Sequence, residues 1–132
     1  MAEGSSPTVK LYSVSANLLT GDAATKLTHI CLDEGDMSAF TAASVSPTTL
    51  CTKTGLTIHE LTGDEMTVAT ATATADYTWT AGAAATLKGA EISCAVNPTN
   101  NVLAWHRYAA DVVLAINEKL QEVINCEYEV GA

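Results

Sequence analysis

Basic residues are scarce in this chain: 6 Lys and Arg stand against 15 Asp and Glu, a formal net charge of −9. Phosphate neutralisation needs clustered cations, and no cluster occurs, so the composition argues against direct nucleic-acid binding. Binding to an anionic membrane surface is disfavoured on the same ground. Aromatic residues are also few, at 5% of the chain, and much of the 48% hydrophobic content is alanine. One domain with a normal core fits into 132 residues,. Large core-filling side chains are too few for a thick core, so part of the stability is expected from association with copies of the chain or with a partner.

Long hydrophobic runs are missing too. No stretch approaches the ~18–20 apolar residues of a membrane span. Residues 1–7 are small and polar, with no secretory hydrophobic region,. Paired cysteines are absent from the sequence pattern: Cys31, Cys51, Cys94 and Cys126 lie far apart and form no C-x-x-C. They read as reduced, mostly buried small hydrophobes of a protein made inside a cell. A disulfide or metal framework is the alternative, with a pairing that spacing cannot rank. The chain also lacks G-x-S-x-G, G-x-G-x-x-G, the P-loop pattern and EF-hand spacing, which argues against hydrolase, nucleotide and calcium-loop chemistry.

What is present changes in texture near Asn97. Of the 19 threonines, 18 precede it, in a β-leaning region. Residues 8–14 alternate like a first strand, and residues 27–32 form a second candidate ahead of an acidic turn. Residues 38–45 suit a short helix or a strand about equally. Residues 56–59 read as a strand, and residues 66–75 alternate threonine with small apolar residues, as a half-buried antiparallel strand requires. Tyr77 and Trp79 extend that alternation. Residues 86–96 are the last strand candidate before Asn97-Pro98. Leu19-Thr20-Gly21-Asp22 recurs as Leu61-Thr62-Gly63-Asp64, through either two equivalent hairpin loops or reuse of a good turn.

After Asn97, the residues Val102, Trp105, Ala109, Val112, Val113, Ile116, Leu120, Val123 and Ile124 follow helical spacing. With Asn100 or Asn101 as N-cap, they predict one amphipathic helix over residues 101–125. Residues 126–130 alternate again and predict a short final strand. The expected fold class is therefore α+β: a mainly antiparallel sandwich- or barrel-like sheet over residues 8–96, a long C-terminal helix and a closing strand. The expected organisation is a flexible arm, residues 1–7, followed by a single domain, residues 8–132.

Three clusters could carry chemistry. His29 and Cys31, two apart on one strand, could hold a metal or form a thiol–imidazole pair, but no second ligand pair follows at metal spacing. Asp33, Glu34 and Asp36 could bind a cation or work as acid and base, and read more simply as solvated turn charges. Trp105, His106 and Tyr108 could form a binding platform, and read more simply as core packing at a helix start. No residue is assigned a catalytic, cofactor or metal role, and no cofactor is expected.

The polar segment at residues 1–7, the Thr/Ala alternation of residues 66–75 and the absence of catalytic signatures together resemble, in overall character, the capsid decoration or cement proteins of tailed bacteriophages. That resemblance matches no motif and carries over no functional residue. It implies a non-enzymatic virion protein, made in the host cytoplasm, that binds the outside of a phage head. Its partners would be the major capsid protein and copies of itself, in a symmetric cluster, with no membrane and no direct nucleic acid. The ends, residues 1–7 and 126–132, would make the inter-subunit contacts, so deletion of residues 1–7 would weaken particle binding and leave the free protein's melting unchanged. The alternatives are a head–tail connector or tail-tube component, a small cellular protein-interaction module, and a small enzyme using His29 and Cys31.

Overall fold

The computed structural model describes residues 3–20, 26–69 and 72–127. They contain β1 (Gly4–Pro7), α1 (Val9–Thr20), β2 (His29–Asp33), β3 (His59–Glu60), β4 (Met66–Ala69), β5 (Thr72–Thr80), β6 (Ala85–Ser93), β7 (Val102–Leu114) and β8 (Lys119–Glu127), with a 3-10 turn at Gly63–Glu65. All pairings are antiparallel, in a five-stranded sheet ordered β1-β7-β6-β2-β3 and a three-stranded sheet ordered β4-β5-β8. One hydrophobic cluster joins them: Ile30, Leu32, Leu87, Ile92 and Tyr108 from the first sheet meet Ala75, Trp79 and Ile124 from the second. The architecture is a two-sheet β-sandwich. Among the described residues no helix is long and apolar enough to cross a membrane.

The expected long helix over residues 101–125 is absent, and with it the α+β class. Those residues form β7, a tight turn and β8. Asn117 breaks any helix there, because it takes φ of +72°, a left-handed conformation that Asn tolerates better than most residues,. The turn is held by Ala115 N donating to Glu118 Oε1 at 2.9 Å, and by Asn117 N donating to Ala81 O at 2.7 Å. It carries the chain from one sheet to the other: β7 pairs with β6 and β1, and β8 with β5.

The start of the chain also differs from expectation. Residues 8–14, read as a strand, lie mostly in α1. Thr8 is fully buried; its N–H donates to Leu103 O at 2.9 Å and its Oγ1 accepts the Lys10 N–H at 3.2 Å, an N-cap contact,. Val14 is buried and Leu11 packs on the core, while Val9 and Tyr12 face outward. The segment expected as a flexible arm contains β1, with Gly4 opposite Arg107 and Pro7 opposite Ala104. Deleting residues 1–7 therefore removes an edge strand, and unchanged melting is no longer the expected result.

Elsewhere the sequence signals land close to the observed elements. Residues 27–32 and 86–96 match β2 and β6 within their ends. The alternating run 66–75 is two paired strands, since Ala69 stands opposite Thr72. On β5 the alternation places Ala75 and Trp79 in the core and Thr78 and Thr80 in solvent. Residues 38–45 are neither helix nor strand, and β3 holds only His59 and Glu60. The repeated Leu-Thr-Gly-Asp falls in different settings: Leu19 and Thr20 close α1, whereas Leu61 is buried just before the 3-10 turn. Of the predicted final strand, Cys126 and Glu127 end β8, and residues 128–130 lie outside the described residues.

A second packed layer covers the outer face of the first sheet. Cys31, Glu91 and Trp105 stand side by side across β2, β6 and β7, and the loop 34–50 folds over them. Met37 of this loop is fully buried, Phe40 meets Trp105 edge to face at 5.7 Å, and Trp105 Nε1 donates to Thr41 O at 2.9 Å. Gly89 makes the approach possible: a Cβ there would stand 2.4 Å from Met37 Sδ and 2.3 Å from His106 O,. Arg107 lies over Trp105 at 5.3 Å and donates to Met37 O at 3.2 Å.

Candidate functional site

Two clusters of titratable side chains are built into the sandwich, one on each side of the first sheet. The first lies under the loop 34–50. Asp33, fully buried at the end of β2, accepts four hydrogen bonds. Oδ1 takes Gly35 N at 2.7 Å, Thr49 N at 2.9 Å and Thr48 Oγ1 at 3.1 Å, and Oδ2 takes Thr48 N at 2.8 Å. It is the loop's anchor and not a solvated turn charge as expected. Glu34 does sit at the surface, 3.5 Å from Lys53 Nζ, and Asp36 accepts Ser38 N at 2.9 Å.

Glu91 is fully buried beside this anchor. The Cys31 thiol donates to its Oε2 at 3.4 Å, while Oε1 has no partner. Burial, and then the nearby Asp33 carboxylate, raise its pKa well above the ordinary carboxylate range, so the side chain is held as a neutral acid. Burial followed by Glu91 likewise pushes the Cys31 thiol up. A buried thiol kept protonated is a poor nucleophile. His29 does not reach it as a base: its Nδ1 meets Thr28 Oγ1 at 2.7 Å. The His29–Cys31 proximity in sequence thus produces no thiol–imidazole contact, and Cys31 finds a carboxyl instead. Cys51, Cys94 and Cys126 are free thiols as well, and burial raises Cys51 to about 11.

Because the folded pKa of Glu91 is raised, folding binds its proton more tightly than the unfolded chain does. Stability is greatest below the ordinary Glu pKa and falls as pH rises above it,. Glu91→Gln keeps the shape and the neutral charge without that proton. Its expected effect is a gain in stability at pH 7, where the folded chain must hold a proton that the unfolded chain releases, with no gain at pH 4,. Urea unfolding of both proteins at the two pH values measures this, and equal stability at pH 7 would contradict a neutral Glu91.

The second cluster closes the seam between the sheets. His106 and Tyr108 project from β7, and Glu122 from β8. His106 Nδ1 donates to Glu122 Oε1 at 2.5 Å, and the Tyr108 hydroxyl donates to Glu122 Oε2 at 2.9 Å. The other imidazole nitrogen, Nε2, reaches Glu3 Oε2 at 3.0 Å, just ahead of β1. Glu122 is only 4% exposed. Its hydrogen bond lifts His106 to about 9, against the opposing effect of burial, and Glu3 adds to the rise. Burial and then Glu122 push the Tyr108 hydroxyl far up. Of the expected aromatic platform, then, Trp105 turns to the outer layer, while His106 and Tyr108 turn to the seam.

This cluster was missed because its residues are far apart in the chain and its key member is disguised. Glu122 occupies a core-facing position of β8, between Leu120 and Ile124, where an apolar residue would have revealed the strand period. A charged residue at an otherwise inward position, with a His and a Tyr two apart on a neighbouring strand, was the available signal.

Beside the cluster, two cavities of about 170 and 230 Å³ share Ser5, Trp105, Ile124 and Asn125 and run along the seam between β1 and β8. Ser6, Pro7, Leu11, Tyr12, Ala104, Cys126 and Glu127 complete the first, making a largely apolar groove. Among the described residues no group of three or more His, Cys, Asp or Glu is arranged to hold a metal ion. No protein-family model matches the chain, and no curated protein matches it.

Proposed function

We propose that the protein is a non-enzymatic structural protein that decorates the outside of a phage head and stabilises it through contacts between subunits. The observation that carries this reading is the open apolar groove between two strand edges, set in a sandwich in which several charged side chains are engaged within the fold. Asp33 anchors a loop, Glu122 joins two sheets, and Lys53, Lys88 and Arg107 are paired or packed within the fold. Such a body offers a surface for binding. An acidic exterior on a shell protein also repels nucleic acid and copies that are not docked. Binding only to the assembled lattice would stabilise that lattice by mass action.

The connector or tail-tube alternative drew on a small sheet paired with a helix; with residues 101–125 in strands, α1 is the helix that would fill that part. A cellular interaction module shares every structural argument above and differs in its partner. Adding the purified chain to phage heads that lack it tests the decoration reading. The expected result is a higher disruption temperature with saturable binding, and heads that neither bind the chain nor gain heat resistance would refute it.

A further inference from the structure

The groove between β1 and β8 has an unusual construction. Among the described residues each of these is an edge strand, paired on one side: β1 with β7 and β8 with β5. Side chains bridge the seam at Glu122, but beyond it residues 124–127 of β8 line the open cavity, with Ser5, Ser6 and Pro7 of β1 across from them. Tyr12, 60% exposed, and Val123, 45% exposed, border it. None of the described lining residues is Lys or Arg. Glu127 lies at one end, and Glu3, on His106, at the other. Counting Glu3, Glu122 and Glu127 against one imidazolium leaves a formal charge of −2 along the seam.

We propose that this seam is the docking site for an extended segment of another protein chain, one with alternating apolar side chains and at least one Lys or Arg. The segment adds to the free edge of β8 at residues 124–127. An unpaired strand edge is a template for another extended backbone, whose alternate side chains need an apolar floor. Leu11, Ile124 and Cys126 supply the floor. The carboxylates favour a cationic segment and oppose an acidic one. A strand seated here lies between β1 and β8 and links the two sheets. The proposal rests on reading the chain as a binding protein, and is independent of whether the partner sits in a virion.

The test is an NMR titration of the full, ¹⁵N-labelled chain with a capped lysine–valine hexapeptide. Two comparison peptides are a glutamate–valine version and a lysine–valine version with alternate backbone nitrogens methylated. Expected are amide shifts at Ser5, Tyr12 and residues 124–127, with both comparison peptides binding about tenfold or more weakly. Glu127→Lys should weaken the first peptide about fivefold or more, while Asp64→Lys, the same charge change on the 3-10 turn, leaves it unaltered. Absent shifts, equal loss in both variants, or indifference to N-methylation would each overturn the proposal. Binding that appears only after removal of residues 128–132 would overturn it in favour of the chain's own end as occupant. Peptide binding without head binding would keep the groove and refute the virion; head binding without peptide binding would do the reverse.

Discussion

Asp33→Ala is expected to destabilise the protein by about 3–5 kcal/mol, the range for removing one partner of a buried, charged hydrogen-bond network. Three backbone N–H groups, of Gly35, Thr48 and Thr49, and the Thr48 hydroxyl all converge on this one carboxylate. Alanine leaves them without an acceptor beneath a loop that also buries Met37 and packs Phe40 on Trp105. Typical domains are stable by about 5–15 kcal/mol, so the loss is a large fraction of the whole. Asp33→Asn, which retains one acceptor oxygen and loses the charge, should fall between. Urea unfolding gives the magnitude, and amide exchange at Gly35, Thr48 and Thr49 locates it. A change below about 1 kcal/mol would show that the loop is held by its apolar contacts alone.

The second large effect concerns His106. Its folded pKa of about 9 lies above the ordinary 6.5. A raised imidazole contributes stability that is fully present below pH 6.5 and is lost as pH climbs through about 9,. The native protein should therefore melt at progressively lower temperature across that window. His106→Gln should reduce the slope there and leave in place the decline tied to Glu91,. Glu122→Ala is harsher, because it strands both the imidazole and the Tyr108 hydroxyl at the seam. Its expected cost is about 3 kcal/mol at pH 7, within the range for breaking a buried pair. Calorimetry at closely spaced pH values measures both. A His106→Gln curve that runs parallel to the native one between pH 6.5 and 9 would contradict the assignment.

The two clusters also explain which parts of the fold were legible from sequence. β5 was readable because one face is open: Thr78 and Thr80 point to water, Ala75 and Trp79 to the core, and the period of two survives. β7 was not, because both of its faces are covered near Trp105, one by the core and one by the loop 34–50, so Val102, Leu103, Ala104 and Trp105 read as a continuous apolar run. Such a run fits helix or strand equally. β8 was hidden by Glu122, whose inward position makes sense only with His106 and Tyr108 in place. The decisive local signal was Asn117, a turn residue in the middle of the supposed helix. Thr8 misled in another way: beside Pro7 and the Val9–Leu11 alternation it suggested a strand, whereas its hydroxyl caps a helix and is fixed by Val102 O at 2.6 Å. Among the candidate clusters, His29 and Cys31 did not come together, whereas His106 and Tyr108 did, edge to face at 5.2 Å and without Trp105; the further partners of Cys31, Asp33 and His106 are supplied by strand pairing and loop return.

The most direct test of the central claim is the number of copies of this chain in purified phage particles, measured by quantitative mass spectrometry against the most abundant shell protein. A decorating role predicts a ratio within a few-fold of one. A ratio on the order of a hundredth, or absence from particles, would contradict it.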